Sequence, residues 1–142
     1  MNANKATALR FLHAMSASDA QVQDECLTED AFTVSHGFGQ ISGQRDRATM
    51  IGTVVVFKDI VPDGFHEKIV RVIAEDDTVL IEWEGNAVLS NGEPYCNQYA
   101  FIFTFRDGKI CRLDEYFCTV LADKAILPLL AQKGEEFAHG NS

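Results

Sequence analysis

The chain has 142 residues, 46% of them hydrophobic and 23% charged, which is the size and make-up of one ordinary globular domain and of neither a disordered nor a membrane-embedded chain. Its 21 acidic against 12 basic residues leave a formal charge of -9, which repels both a phosphate backbone and an anionic leaflet, so neither nucleic acid nor membrane is expected as a partner. No apolar stretch follows a basic start, because Arg10, His13 and Ser16 interrupt it, and a cytoplasmic location is the matching expectation.

Ala8, Phe11, Leu12 and Met15 recur at i, i+3, i+4 and i+7, which predicts an amphipathic helix over about residues 5–17. Ser18 with Gln21 has the form of a capping box, and Val22 and Cys26, one turn apart, give a short second helix its apolar side. From Phe32 the period becomes two. Phe32, Val34, His36 and Phe38 alternate with Thr33, Ser35 and Gly37, a strand whose buried face would carry His36. Gly37, Gly39 and Gly43 break the pattern, and Asp46 stands as an N-cap before Met50, Ile51, Val54 and Val55. Spacing makes that segment a helix, whereas the β-branched run at 53–57 favours a strand. After Pro62-Asp63-Gly64, segments 65–121 alternate between turns at 75–77, Asn91-Gly92 and Asp107-Gly108, which reads as an antiparallel meander. Ile126, Leu127 and Leu130 return to helical spacing despite Pro128, and a polar tail occupies 134–142. No repeat or linker divides the chain, so residues 1–142 form one domain with a core at about 5–133.

The longest strand puts Tyr95, Asn97, Tyr99, Phe101, Phe103 and Phe105 on one face, an aromatic wall. Cys111, Leu113, Glu115 and Phe117 form the more apolar face of the next strand. To bring the two faces together, Arg106-Asp107-Gly108 is read as a three-residue loop with Gly108 left-handed. That register pairs residue 105 with 109, Phe101 with Leu113, Tyr99 with Glu115 and Asn97 with Phe117. The outward residues Cys96, Ala100, Ile102, Tyr116 and Val120 are too apolar for a solvated surface, and a homodimer through the sheet would cover them.

Glu115 stands between Leu113 and Phe117, where burial raises a carboxyl pKa toward the range useful for general acid–base work; a structural carboxylate tied to a hydroxyl or an arginine is the alternative. His36 offers a titrating imidazole on the expected inner face, or a satisfied core histidine. Asn97 and Tyr99 present an amide and a phenol that orient a ligand or pair with each other. Trp83 joins Val79 and Ile81 on an apolar face and reads as packing. Phosphate-loop, dinucleotide, nucleophile-elbow and zinc-protease motifs are all missing, and the histidines at 13, 36, 66 and 139 fall in separate elements. The four cysteines, 26, 96, 111 and 118, show no C-x-x-C spacing and read as reduced thiols. No cofactor and no metal are expected.

The order helix, helix, strand, helix and curved sheet resembles the cone-shaped α+β fold of the nuclear transport factor 2-like superfamily. The opening segment 8–19, Ala-Leu-Arg-Phe-Leu-His-Ala-Met-Ser-Ala-Ser-Asp, and Leu27-Thr28-Glu29-Asp30-Ala31 are similar to its opening helix and the approach to its first strand. The segment 92–101, Gly-Glu-Pro-Tyr-Cys-Asn-Gln-Tyr-Ala-Phe, with Asp107-Gly108-Lys109-Ile110 and Glu115-Tyr116, resembles the SnoaL-like branch over about residues 5–122. The resemblance implies helices packed on a strongly curved, mostly antiparallel sheet that encloses an apolar pocket for a small hydrophobic or polycyclic compound. Phe11, Met15, Trp83, Asn97, Tyr99, Phe101, Leu113 and Phe117 would line it. Departures limit any transfer of activity. Where ketosteroid isomerase carries its phenol and neutral acid this chain has Phe11 and Phe101, and the base position falls at Ser35 or His36. Of the carboxylate–arginine–carboxylate triad of limonene-epoxide hydrolase only Glu115 remains, Trp83 and Gly85 lying near the other two positions. The acid usual after the Glu-Tyr-x motif of SnoaL-like proteins is Cys118 here. The expectation is cofactor-free isomerisation or cyclisation by Glu115 and His36, and its alternative a non-catalytic ligand-binding or accessory dimer.

Overall fold

A computed structural model describes residues 2–132; residues 133–142, with the polar tail, lie outside the described residues. Helix α1 (Ala3–Ser16) is capped by Asn2, whose side chain accepts from the N–H groups of Asn4 and Lys5, and it buries Ala8, Phe11, Leu12 and Ala14. Helix α2 (Ala20–Cys26) starts from Asp19, which accepts from Val22 N–H at 3.2 Å, and not from Ser18 as the capping-box spacing suggested. Ser18 is held left-handed at φ 56° between the two helices, outside the extended conformation an N-cap needs.

Strands β1 (Leu27–Ser35) and β2 (Gly43–Asp46) lead into α3 (Arg47–Ile60). Strand β2 lies in the stretch that the glycines mark as irregular; four residues are too few to show an alternation. In α3 Met50 and Val54, one turn apart, and Ile60 at its end are buried, and this packing overrides β propensity, with Asp46 as N-cap accepting from Thr49 N–H at 2.9 Å. The meander follows as β3 (His66–Glu75), β4 (Thr78–Val88), β5 (Pro94–Arg106) and β6 (Lys109–Phe117), and α4 (Thr119–Gln132) includes Pro128. Val120 therefore belongs to a helix and not to the outer sheet face.

The six strands form one open sheet in the order β2-β1-β6-β5-β4-β3, antiparallel except where β1 runs parallel to β6. The fold is α+β with a mostly antiparallel sheet. Among the described residues no helix is long and apolar enough to cross a membrane. One core cluster packs Phe11 and Leu12 of α1 against Ile81, Trp83, Phe101, Phe103 and Leu113; a second packs Ile60 and Val61 against Tyr95, Ile126 and Leu130.

Two register expectations are corrected. The β5–β6 turn is a two-residue hairpin, with Arg106 opposite Lys109 and positive φ at both Asp107 and Gly108. The extra residue sits at Cys111, where the register shifts between Phe105↔Ile110 and Thr104↔Arg112. Glu115 still shares a face with the aromatic wall, but opposite Phe101, while Tyr99 faces Phe117 and Phe103 faces Leu113. In β1 the faces are exchanged: Ala31, Thr33 and Ser35 are buried, whereas Phe32 and Val34 are half-buried on the other side and Phe38, past the strand, is fully exposed.

Candidate active site

Helices and sheet enclose a cavity of about 130 Å³. Phe11 and Met15 of α1, Met50, Val54 and Phe57 of α3, and Ile126 of α4 face Trp83, Tyr99, Phe101, Leu113 and Phe117 of the sheet across it. A hydrocarbon-lined space of roughly 150 Å³ holds one benzene ring, so a single ring fits this volume. On the sheet side the aromatic rings pack on one another: Trp83 stacks on Tyr99 at 4.1 Å and Phe101 meets Trp83 edge-on at 5.3 Å. Gly85 is needed for that stack, since a Cβ there would lie 2.8 Å from Trp83 Cζ3 and 3.1 Å from Tyr99 Cε2.

The apolar lining is interrupted at the β6–β1–β2 end. Parallel pairing sets Ser35 beside Glu115, and the Ser35 hydroxyl donates to Glu115 Oε1 at 2.8 Å. Arg45 of β2, buried to 3% exposure, donates to the Ile41 carbonyl at 2.6 Å and to Ser35 Oγ at 3.3 Å. Burial pushes the Glu115 carboxyl above its ordinary pKa of 4.5, against the opposing pull of the Ser35 hydrogen bond and the Arg45 charge. Burial likewise lowers Arg45 to about 10, with the Glu115 charge opposing. Glu115 is half-buried, and it borders the cavity. A carboxyl whose pKa is raised by burial, with a cation and a hydroxyl near it, is equipped to take up and return a proton.

Of the residues singled out from the sequence, Phe11, Met15, Trp83, Tyr99, Phe101, Leu113, Glu115 and Phe117 border the cavity. His36 does not. It continues the outward set of β1, its ring stacked on Tyr116 at 4.2 Å and 1°, and its Nε2 donates to Asp114 Oδ1 at 2.8 Å. The expected Glu115–His36 pair is thus divided by the sheet. Asn97 is buried, but its amide is spent on its own chain: Oδ1 accepts from the N–H groups of Gln98 and Cys118, and Nδ2 donates to Tyr95 Oη and the Cys118 carbonyl. Sequence reasoning missed Arg45, and it gave Ser35 only as one of two possible base positions and Tyr95 only as part of the aromatic wall; all three border the cavity. The signal for Ser35 was the Thr33–Ser35 alternation, assigned to the wrong face; Arg45 gave none, since nothing in sequence links it to Glu115. Among the described residues no group of three His, Cys, Asp or Glu side chains is placed to hold a metal ion.

Residues 8–113 match the SnoaL-like domain family. Among solved structures, Bal32a from a soil-derived mobile gene cassette superposes with a TM-score of 0.75 at 20% identity, over 87% of this chain and 95% of that one. An LEH-like epoxide hydrolase of M. tuberculosis gives 0.71 at 22% identity, over 93% and 96%. A candidate SnoaL-like polyketide cyclase from Jannaschia sp. CCS1 gives 0.68 at 16%, over 87% and 91%. These likenesses establish the fold. No curated protein matches the chain.

Proposed function

The chain belongs to the SnoaL-like family, and on that premise we propose that it binds a small, mostly apolar compound in the cavity and that Glu115 moves a proton on it without a cofactor. The observation that carries this reading is one carboxyl group, raised in pKa by burial, bordering a mostly apolar cavity near Ser35 and Arg45. A one-ring compound fits the volume. In the reaction, the Glu115 carboxylate takes a proton from a carbon next to a carbonyl, and the C–H electron pair passes onto the carbonyl oxygen as an enolate. Where a C=C is conjugated with the enolate, returning the proton at the far end of that double bond isomerises the compound; alternatively, attack of the enolate carbon on a second carbonyl closes a ring, and the alkoxide so formed takes the proton back from Glu115. Ser35 fixes the carboxyl, and the Arg45 charge stabilises it while ionised.

The same contacts favour a second reading, a binding protein without turnover, because a hydroxyl and a nearby guanidinium also serve a purely structural carboxylate. One experiment separates them. Native mass spectrometry of the purified protein identifies a retained compound, and its affinity and turnover are then measured for the wild type and Glu115→Gln. Proton transfer by Glu115 predicts turnover lowered by about 10² or more with affinity nearly unchanged. Equal turnover removes Glu115 as the catalyst, and tight binding with no turnover in either protein establishes the carrier.

The outer sheet face supports a homodimer as part of this proposal. Ile73, Leu80 and Ile102 align across β3, β4 and β5, and Ala100 lies opposite Tyr116, which is 45% exposed. A second copy seated there would bury at least about 1,200 Å² in total. Sedimentation at micromolar concentration is expected to give a dimer; a monomer contradicts it.

A further inference from the structure

Tyr95 and Tyr99 both border the cavity, and their hydroxyl oxygens lie 3.5 Å apart. Asn97, between them on the strand, settles how their protons are distributed. Its Oδ1 accepts from Gln98 N–H at 2.8 Å and from Cys118 N–H at 3.3 Å, which fixes which end of the amide is oxygen. Both hydrogens of Nδ2 are then committed, one to the Cys118 carbonyl at 3.1 Å and one to Tyr95 Oη at 2.9 Å. The Tyr95 oxygen is therefore an acceptor toward Asn97, and its own proton points elsewhere. Two hydroxyl protons remain and one contact between the phenols, so a single proton fills that contact. Among the described residues neither phenol has another acceptor. One O–H of the pair is left over, on a buried wall that borders the cavity.

Leaving such a donor unmatched in an apolar site is costly, and its position is unusually well defined. Trp83 stacks on the Tyr99 ring, and Phe65 meets Tyr95 edge-on at 6.3 Å. Burial also holds the Tyr99 phenol protonated, its pKa well above the ordinary 10.0, so the pair remains a donor across the neutral range. Glu115 lies diagonally from Tyr99 on the same sheet face, since Tyr99 is opposite Phe117 and Phe101 opposite Glu115.

We infer that the Tyr95–Tyr99 pair, keyed by Asn97, is the hydrogen-bond donor that the cavity offers to a carbonyl-type oxygen of its ligand. The ligand class is a small ketone or related one-ring compound whose oxygen meets the phenols while its carbon frame fills the apolar space. This rests on the cavity being the binding site, as proposed above, and Asn97 acts through Tyr95 as a positioning residue. A phenol aimed at that oxygen would also stabilise the charge it gains when a neighbouring proton leaves.

The test uses cyclohexanone labelled with ¹³C at the carbonyl and methylcyclohexane, a frame of the same size without the oxygen. On binding to the wild type, the carbonyl resonance is expected to move downfield of its position in an apolar solvent, as hydrogen bonding requires. Tyr99→Phe should keep that shift, because the Tyr95 proton remains available. The double variant Tyr95→Phe/Tyr99→Phe should lose it, and bind the ketone about three- to tenfold more weakly while holding methylcyclohexane unchanged. A carbonyl resonance at the apolar-solvent position in the wild type overturns the inference while leaving the cavity reading intact, and needs no variant to fold. Equal weakening of both probes in the double variant overturns it as well. If neither probe binds the wild type, the cavity reading falls and this inference with it.

Discussion

Asp114 and Glu115 are consecutive on β6, and the pleat sends their carboxyl groups to opposite faces of the sheet, where they titrate in opposite directions. On the outer face Asp114 receives Arg112 through both oxygens, at 2.8 and 2.9 Å, and His36 at 2.8 Å. The Arg112 hydrogen bonds pull its pKa below the ordinary 3.8, burial opposing. On the inner face burial dominates, and Glu115 rises above 4.5 although Ser35 and Arg45 work against it. Two carboxyls a few ångströms apart along the chain therefore differ in role because of their donors. One saturated by charge-assisted hydrogen bonds is fixed as an anion, whereas one beside a hydroxyl in an apolar cavity stays able to change state.

The largest way to break this contrast is to remove the cation from the inner face. Arg45→Met takes away a buried cation near the half-buried Glu115 as well as the donor to the Ile41 carbonyl, and is expected to cost about 1–3 kcal/mol in denaturant unfolding. It should also raise the Glu115 pKa further. A loss under about 1 kcal/mol would mean that Glu115 carries no charge for Arg45 to balance.

A smaller effect is expected outside. Asp114→Asn keeps the shape and removes the charge facing a half-exposed Arg112, costing up to about 1 kcal/mol at neutral pH. A carboxyl whose pKa is depressed in the fold stabilises it above the unfolded value and loses that contribution as pH falls through the folded value. The difference between variant and wild type should thus shrink below pH 3.8. A cost that persists unchanged into acid would contradict the ion-pair account.

The same two faces mark where the sequence was readable. In β5 the alternation from Tyr95 to Phe105 is unambiguous, because five of its six residues are aromatic and the structure turns them all inward. In β1 the period of two was visible but its sense was not. The larger, more apolar set of Phe32, Val34 and His36 faces outward, where Arg112 lies over the Phe32 ring and Tyr116 covers His36. The small polar set of Thr33 and Ser35 faces in, because that end of the cavity surrounds a carboxyl group that needs hydroxyls. Hydrophobic patterning orients a strand toward an apolar core and misleads where the strand borders a polar site. The hairpin register failed for a related reason: the sidedness of Glu115 required one extra residue, and nothing in the sequence said that Cys111 and not Gly108 would supply it.

Because Glu115 is raised and Asp114 lowered, their contributions to stability run against each other with pH. The Glu115 contribution is complete below 4.5 and fades as pH rises through its folded value, while that of Asp114 appears above 3.8. Carbon-detected NMR of the two side-chain carboxyls across a pH titration reads both groups in the intact protein without a ligand. The account predicts a Glu115 midpoint above 4.5 together with an Asp114 midpoint below 3.8. A Glu115 midpoint at or below 4.5 would contradict it, since the cavity would then hold an ordinary structural carboxylate.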